Sequence, residues 1–230
     1  MQLECNDLKF RYPGTNLYVF KGLSFHLPGP GFHALFGPSG VGKTTLAKMI
    51  CGKINGYGGE ISTKEINRIL YTYNLERLPG WSSVREHLEL NTPDSATHIV
   101  AELLDSFGLR TFMESRFAQL SLGQQNRINL TRYLLQDFDL LIMDESLANV
   151  DELTKEKIIL KIKDMFPERC FLYISHNVVE VAKFCKQILV LRSHHKVPQA
   201  VTLYGRNHIE DQALDKKALE HTMLEIVNAS

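Results

Sequence analysis

Apolar and polar residues alternate with a period of two at the start of the chain, from Leu3 to Leu8, through Phe10-Arg11-Tyr12, and again from Tyr18 to Leu27. Pro13-Gly14-Thr15-Asn16 separates the runs, so they are expected to pair as an antiparallel hairpin. Pro28-Gly29-Pro30-Gly31 turns the chain once more, and Gly31-Phe32-His33-Ala34-Leu35-Phe36 then reads as a buried strand. A helix is predicted over residues 44–51, ending at Gly52. The turn Asn55-Gly56-Tyr57-Gly58-Gly59 leads into Glu60-Ile61, and residues 68–73 are again β-like. Beyond residue 74 the period changes. Leu78-Pro79-Gly80-Trp81 breaks the pattern, residues 84–90 and 98–107 carry helical apolar spacing, and no strand-like run intervenes.

From Asp139 onward strands and helices alternate, with strands expected at 140–143, 170–174 and 188–191 and helices at 153–165 and 178–185. That succession predicts a largely parallel sheet covered on both faces. Residues 210–227 are amphipathic, with Leu214, Ala218, Leu219, Met223, Leu224 and Val227 on one side, so the tail is expected to pack on the body. The expected organisation is one domain over 1–230, with a core from 1–74 and 134–205 that includes the antiparallel β subdomain. A helical subdomain over 75–133 and a helical tail over 206–230 complete it.

A chain of 230 residues is long enough for one sizeable α/β core. Lysine plus arginine number 26 and aspartate plus glutamate 26, so nothing global calls for nucleic acid or an anionic membrane surface. No apolar run approaches the roughly 18–20 residues of a membrane helix, and the N-terminus lacks a basic region followed by an apolar one. A soluble chain that is not exported is the expectation. Cys5, Cys51, Cys170 and Cys185 show neither C-x-x-C spacing nor a dense framework, which fits core thiols in a reducing compartment.

The candidate chemistry centres on Gly37-Pro38-Ser39-Gly40-Val41-Gly42-Lys43-Thr44, a full match to the G-x-x-x-x-G-K-[ST] phosphate loop, set between the predicted strand and helix and followed by Thr45. Glycines let consecutive backbone N–H groups close on phosphate oxygens. Lys43 is placed to reach the β/γ-phosphates, Thr44 to offer its hydroxyl to Mg²⁺, and the helix to set its positive end under the anion. Leu140-Leu141-Ile142-Met143-Asp144-Glu145 puts two carboxylates at a strand's C-terminal end, where neighbouring side chains point apart. Asp144 is therefore the candidate metal ligand with Thr44, and Glu145 the group facing the attacking water. His176 ends another strand at the same edge, within reach of a γ-phosphate oxygen.

With these motifs in order, the chain resembles the nucleotide-binding subunits of ABC transporters over nearly its whole length. The most specific element is Leu120-Ser121-Leu122-Gly123-Gln124, close to the L-S-G-G-Q signature, followed by Gln125-Asn126-Arg127 and Arg132. The resemblance implies an α/β fold of the phosphate-loop NTPase, RecA-like kind. It places Tyr12 as a base-stacking aromatic, His176 as a switch histidine, and Val150-Asp151 at the end of the D-loop. It also implies ATP and Mg²⁺ as cofactors and head-to-tail pairing with a second ATP-binding subunit, identical or not. Ser121, Gly123 and Gln124 then complete the partner's site. Leu122 departs from the family's glycine, Ser146 from the proline after the glutamate, and Asn74 from the glutamine of the Q-loop. Residues 78–81 and 141–145, the run after His176 and the tail are similar to importers of nitrate, sulfonate and taurine type. Such a subunit sits on the cytoplasmic face of a membrane and drives separate permease subunits, with a solute-binding protein involved indirectly. The competing reading is a soluble ATPase of the same family acting on nucleic acid or ribosomes.

Overall fold

A computed structural model describes residues 1–230. Nine strands form two sheets. The smaller sheet is antiparallel, in the order β2 (Phe20–Pro28), β1 (Gln2–Phe10), β4 (Gly58–Lys64). The larger runs β5 (Ile69–Tyr73), β6 (Leu140–Asp144), β7 (Cys170–Ile174), β3 (Gly31–Phe36), β8 (Gln187–Leu191), β9 (Ala200–Tyr204). Its first five strands are mutually parallel, and β9 pairs antiparallel with β8.

Strands β6, β7 and β8 are buried at every position, as parallel strands covered on both faces must be, whereas β1 and β2 alternate between buried and exposed. Alternation within the central strands assigns their side chains to two cores. Phe32, Leu141, Met143, Phe171, Tyr173 and Val190 point into one with the helices α3 (Thr97–Ser106), α4 (Leu122–Leu134), α5 (Glu152–Met165) and α6 (Val178–Phe184). Leu35, Leu140, Ile142, Leu172, Ile174 and Leu189 point into the other, against α1 (Lys43–Ile50) and the small antiparallel sheet. Helix α2 (Val84–Asn91) starts with a reciprocal cap between Ser83 and Glu86.

The final strand is a finding that the apolar pattern did not predict. β9 lies at the sheet edge, only partly buried, so its sequence Ala-Val-Thr-Leu-Tyr lacks the continuous apolar run of its neighbours. β4 likewise extends well beyond Glu60-Ile61. The closing helix α7 spans Lys216–Ala229, capped by Asp215, and does not begin at residue 210. It buries Thr222 and Ile226 and packs Leu219 and Met223 on the core, while Leu224 and Val227 stay exposed. The inward stripe is thus rotated from the one expected: it centres on Leu219, Thr222, Met223 and Ile226, with Leu224 almost opposite Ile226 and Val227 at the stripe's exposed edge.

All four cysteines are free. Burial raises every thiol above its ordinary range, Cys51 to about 11 and Cys170 to about 12, with Cys5 and Cys185 higher still.

Phe171 is fully buried and its ring meets those of Phe32, Phe138 and Phe166 at centroid distances of 5.7, 5.6 and 6.3 Å. Phe171→Ala should lower unfolding stability by about 3–5 kcal/mol in a urea titration, with the cavity term at the upper end if the three rings cannot collapse inward.

Candidate functional site

The site grows out of where β3 stops. Gly37 leaves the strand with φ 146°, and a Cβ there would sit 2.4 Å from the Leu191 carbonyl oxygen at the end of β8, so only glycine fits. Gly42, at φ 108°, has Val19 and Phe20 at similarly close range and delivers the chain into α1. Helix α1 has no side-chain cap and no acidic residue in its first turn. Its first N–H groups are therefore unclaimed by side chains, the arrangement that accepts an anion.

Lys43 is nearly buried, and its ammonium donates to the Gly37 and Pro38 carbonyls at 2.7 and 2.9 Å. Burial lowers its pKa, and the carboxylates of Glu145 and Asp144 oppose that shift. The loop thus holds its cation curled over itself. One helix position on, the Thr44 hydroxyl donates to Asp144 Oδ2 at 2.8 Å, and Tyr71 on β5 donates to the same oxygen at 2.9 Å. Burial above all, then the negative charge of Asp144 and the hydrogen bond donated to it, raise the Tyr71 hydroxyl's pKa well above its usual value.

Glu145 adopts a left-handed backbone (φ 54°) that an L-residue rarely takes without compensation. Its N–H donates to the Ile174 carbonyl at 3.1 Å, fastening it to the end of β7. That turn brings its carboxylate to 2.5 Å from His176 Nε2. Ser146, standing where the resembled family has proline, is buried and donates its hydroxyl to the Thr72 carbonyl at 3.1 Å. The turn after Glu145 is therefore pinned by a side-chain bond to β5, a restraint that a proline would have supplied through its ring.

Asn74 extends the β5–β6 pairing by one residue, its N–H donating to the Asp144 carbonyl at 3.0 Å. With Thr44, Asp144 and Glu145 it lines a cleft of about 530 Å³. Its side-chain oxygen, however, accepts from Asn126 Nδ2 at 2.9 Å, and the same Asn126 amide donates to the Ala148 carbonyl at 2.8 Å. Two residues further along the loop, Glu76 accepts from Asn129, Arg132 and Tyr133 of α4 at 2.9, 2.7 and 3.0 Å. Sequence reading singled out neither Tyr71, Glu76 nor Asn129, and named Asn126 only within the run after the signature, without a partner. The available signal was polar residues at 126, 129 and 132 along an otherwise buried helix, which must find partners.

Tyr12 is 44% exposed and borders a second cleft, of about 420 Å³, with Pro38, Ser39, Gly40 and Val41 of the loop. Its hydroxyl and that of Thr45 lie 2.9 Å apart. Ser121, Gly123 and Gln124 line neither cleft. Ser121 caps α4, accepting from the Gln124 N–H, while Gln124 accepts from the Ser121 N–H. A Cβ on Gly123 would meet the Asn149 carbonyl at 2.3 Å, so the signature start lies flush against the loop after Glu145; Leu122 beside it is half exposed.

The model of the ABC transporter family matches residues 20–148, more than half of the chain. The chain belongs to the ABC transporter family. This ABC chain is 30% identical over 207 residues to the taurine import ATP-binding protein TauB of Roseobacter denitrificans, covering 82% of the chain and 77% of that relative. It is 28% identical to the aliphatic sulfonates import ATP-binding protein SsuB of Pseudomonas entomophila, over 82% of the chain and 72% of the relative. It is 33% identical to the molybdenum import ATP-binding protein ModC of Brucella melitensis, covering 70% of the chain and half of that longer protein. A bacterial Atm1-family ABC exporter solved with ATP bound shares the fold at TM-score 0.73 and 17% identity, covering 99% of the chain and 41% of the exporter. The fold is thus that of ABC ATPases, and the chain is an ABC ATP-binding subunit and an ATPase.

Asn74→Ala and Asn126→Ala should be non-additive in unfolding stability. A coupling of about 1 kcal/mol in a double-mutant cycle is the outcome expected for a bond between them, and strict additivity would show that it contributes nothing.

Proposed function

We propose that this subunit hydrolyses ATP at the C-terminal edge of its parallel sheet and couples that reaction to import through separate membrane permease subunits. The observation that carries the reading is the convergence of Thr44 and Asp144 at 2.8 Å beside the Glu145–His176 pair at 2.5 Å, with the phosphate loop between them and Tyr12. Loop residues 37–44 cradle the phosphates through backbone N–H groups, with Thr45 linking the loop to Tyr12. Lys43 exchanges its two carbonyl partners for β/γ-phosphate oxygens. Tyr12 supports the base. Glu145 orients the water that attacks the γ-phosphorus; the bond to the leaving ADP oxygen breaks as the new P–O bond forms, and Glu145 accepts the water's proton. His176, held on Glu145, fixes that carboxylate and reaches the γ-phosphate.

Mg²⁺ fits this donor set. A hydroxyl and a carboxylate sharing one hydrogen bond suit a hard cation whose other ligands are phosphate oxygens and water, and no group of three or more His, Cys, Asp or Glu side chains forms a self-sufficient cage. Thr44 and Asp144 would hold the ion, which when bound neutralises phosphate charge. Asn74, its side-chain oxygen taken by Asn126, contributes to that shell indirectly.

Ser121, Gly123 and Gln124 lie apart from their own chain's clefts, which supports their completing the site of a second ATP-binding subunit packed head to tail. Exposed Trp81, in the loop after β5, is the proposed contact to a permease. No helix is long and apolar enough to cross a membrane, so a position on the cytoplasmic face depends on such partners. The relatives' import names favour this reading over a soluble ATPase acting on nucleic acid. Within the fold, the division into a core, a helical subdomain over 75–133 and a tail supplies the moving parts.

Lys43→Ala should abolish measurable ATP binding, whereas Glu145→Gln should bind ATP normally and lose turnover by at least ~100-fold. Nucleotide titration and phosphate release separate the two. Glu145→Gln should further sediment as a dimer with ATP and Mg²⁺ and as a monomer without ATP; a monomer under both conditions would remove the head-to-tail arrangement for the isolated subunit. In the Mg²⁺ dependence of hydrolysis, Asn74→Gln should tighten the requirement or raise basal turnover, and an unchanged profile in both Asn74→Gln and Asn74→Ala would exclude any role for that position.

A further inference from the structure

The cleft beside Tyr12 has a wall that no motif accounts for. Besides Tyr12, Tyr18, Ser39 and Val41, it is bordered by Ser193 and His194, from the turn between β8 and β9. That turn reaches the cleft by two routes. Leu191, where β8 ends, presses its carbonyl on the Gly37 position, setting the start of the turn against the phosphate loop. Gln199, where the turn ends, is buried and uses both ends of its amide on the first hairpin, donating to the Val19 carbonyl at 2.7 Å and accepting from the Lys21 N–H at 3.0 Å. A side-chain amide satisfied twice by backbone groups nearly 180 residues away is a fixed strut. Between these anchors the His194 ring lies 3.8 Å, centroid to centroid, from that of His195, which limits how far it can swing outward.

We infer that Ser193 and His194 form the second side of the nucleoside pocket, so that the base and ribose of ATP are held between Tyr12 and this turn. The inference rests on reading the cleft as the ATP site, and adds to it a residue for the nucleoside half. An imidazole supplies a flat face for a purine and a ring nitrogen for a ribose hydroxyl or base edge, and Ser193 adds a hydroxyl able to donate or accept. On that reading the phosphate chain runs from the Ser39–Val41 wall of the cleft toward Lys43 and Thr44, which lie outside it, and takes its contacts from the loop and not from His194. Gln199 acts as a positioning residue, since it borders the neighbouring hollow and not the nucleoside cleft.

The contrast between two probes tests this. Magnesium-ATP contains the nucleoside, and magnesium tripolyphosphate offers only the phosphate chain. In calorimetric titrations, His194→Ala should weaken ATP binding roughly five-fold, the loss of about one ring contact, and leave tripolyphosphate binding unchanged. Gln199→Ala should give the same split to a smaller degree, whereas a purely structural defect would weaken both probes together. His194→Gln, which keeps a polar tip without the ring, should lie between. Unchanged ATP affinity in His194→Ala overturns the inference, and so does an equal loss for both probes. A Lys43→Ala protein that bound both probes as the wild type does would instead sink the phosphate-loop reading beneath it.

Discussion

The register of the parallel sheet is the constraint on which the rest depends. Tyr73 on β5, Asp144 on β6 and Ile174 on β7 are directly paired, so three adjacent strands end at the same height. Backbone hydrogen bonds carry that alignment one step further, from Asn74 to the Asp144 carbonyl and from Glu145 to the Ile174 carbonyl. As a result the residues following each strand leave the sheet side by side. A slip of one residue in any strand would turn its core-facing side chains to the opposite face and bury or lose a functional one, so packing on both sides of the sheet enforces the geometry of its edge. The positive φ of Glu145 is tolerated because both ends of its turn are held, by Ile174 before and by Ser146 on Thr72 after.

The same edge is braced laterally by α4. Glu76 gathers three donors from this helix, and Asn126 divides its amide between Asn74 and Ala148. The loop after β5, the loop after β6 and the helix that begins at the signature are thus joined by side chains with little slack. The Arg132–Glu76 pair is mostly buried on both sides and backed by two further donors, which is the setting in which an ion pair holds geometry and not merely charge. A movement of the signature helix would have to carry both loops with it or break several buried bonds together.

Much of this was legible in the sequence because the determinants are local. The phosphate loop is one continuous segment whose glycines answer to backbone demands, and the Asp144-Glu145 pair sits at the end of an apolar run that could only be a buried strand. What escaped was long-range or compensatory. Tyr71 looks like any strand aromatic until its hydroxyl is seen on Asp144, Ser146 looks like a loosened turn until its partner 74 residues away is known, and Asn126 could not be paired with Asn74 before the helix was placed. β9 was missed for a different reason: its residues Ala-Val-Thr-Leu-Tyr are compatible with a strand, but a short, half-solvated edge segment carries neither a continuous apolar run nor a clean alternation. The tail's helix was recognised but rotated, since amphipathicity alone does not say which of two adjoining stripes meets the body.

The four free cysteines have a practical corollary. Thiols that are buried or half-buried, with pKa values of about 11 or higher, present almost no thiolate at neutral pH and little surface to an electrophile. Cys5, Cys170 and Cys185 are therefore close to silent toward maleimide reagents in the folded chain, and the half-buried Cys51 is the natural thiol that offers such a reagent some surface. A single cysteine placed on an exposed position would be the dominant reactive group in an otherwise native background, so spectroscopic labels could be attached to the clefts, the signature or the last helix without first removing any natural residue but Cys51.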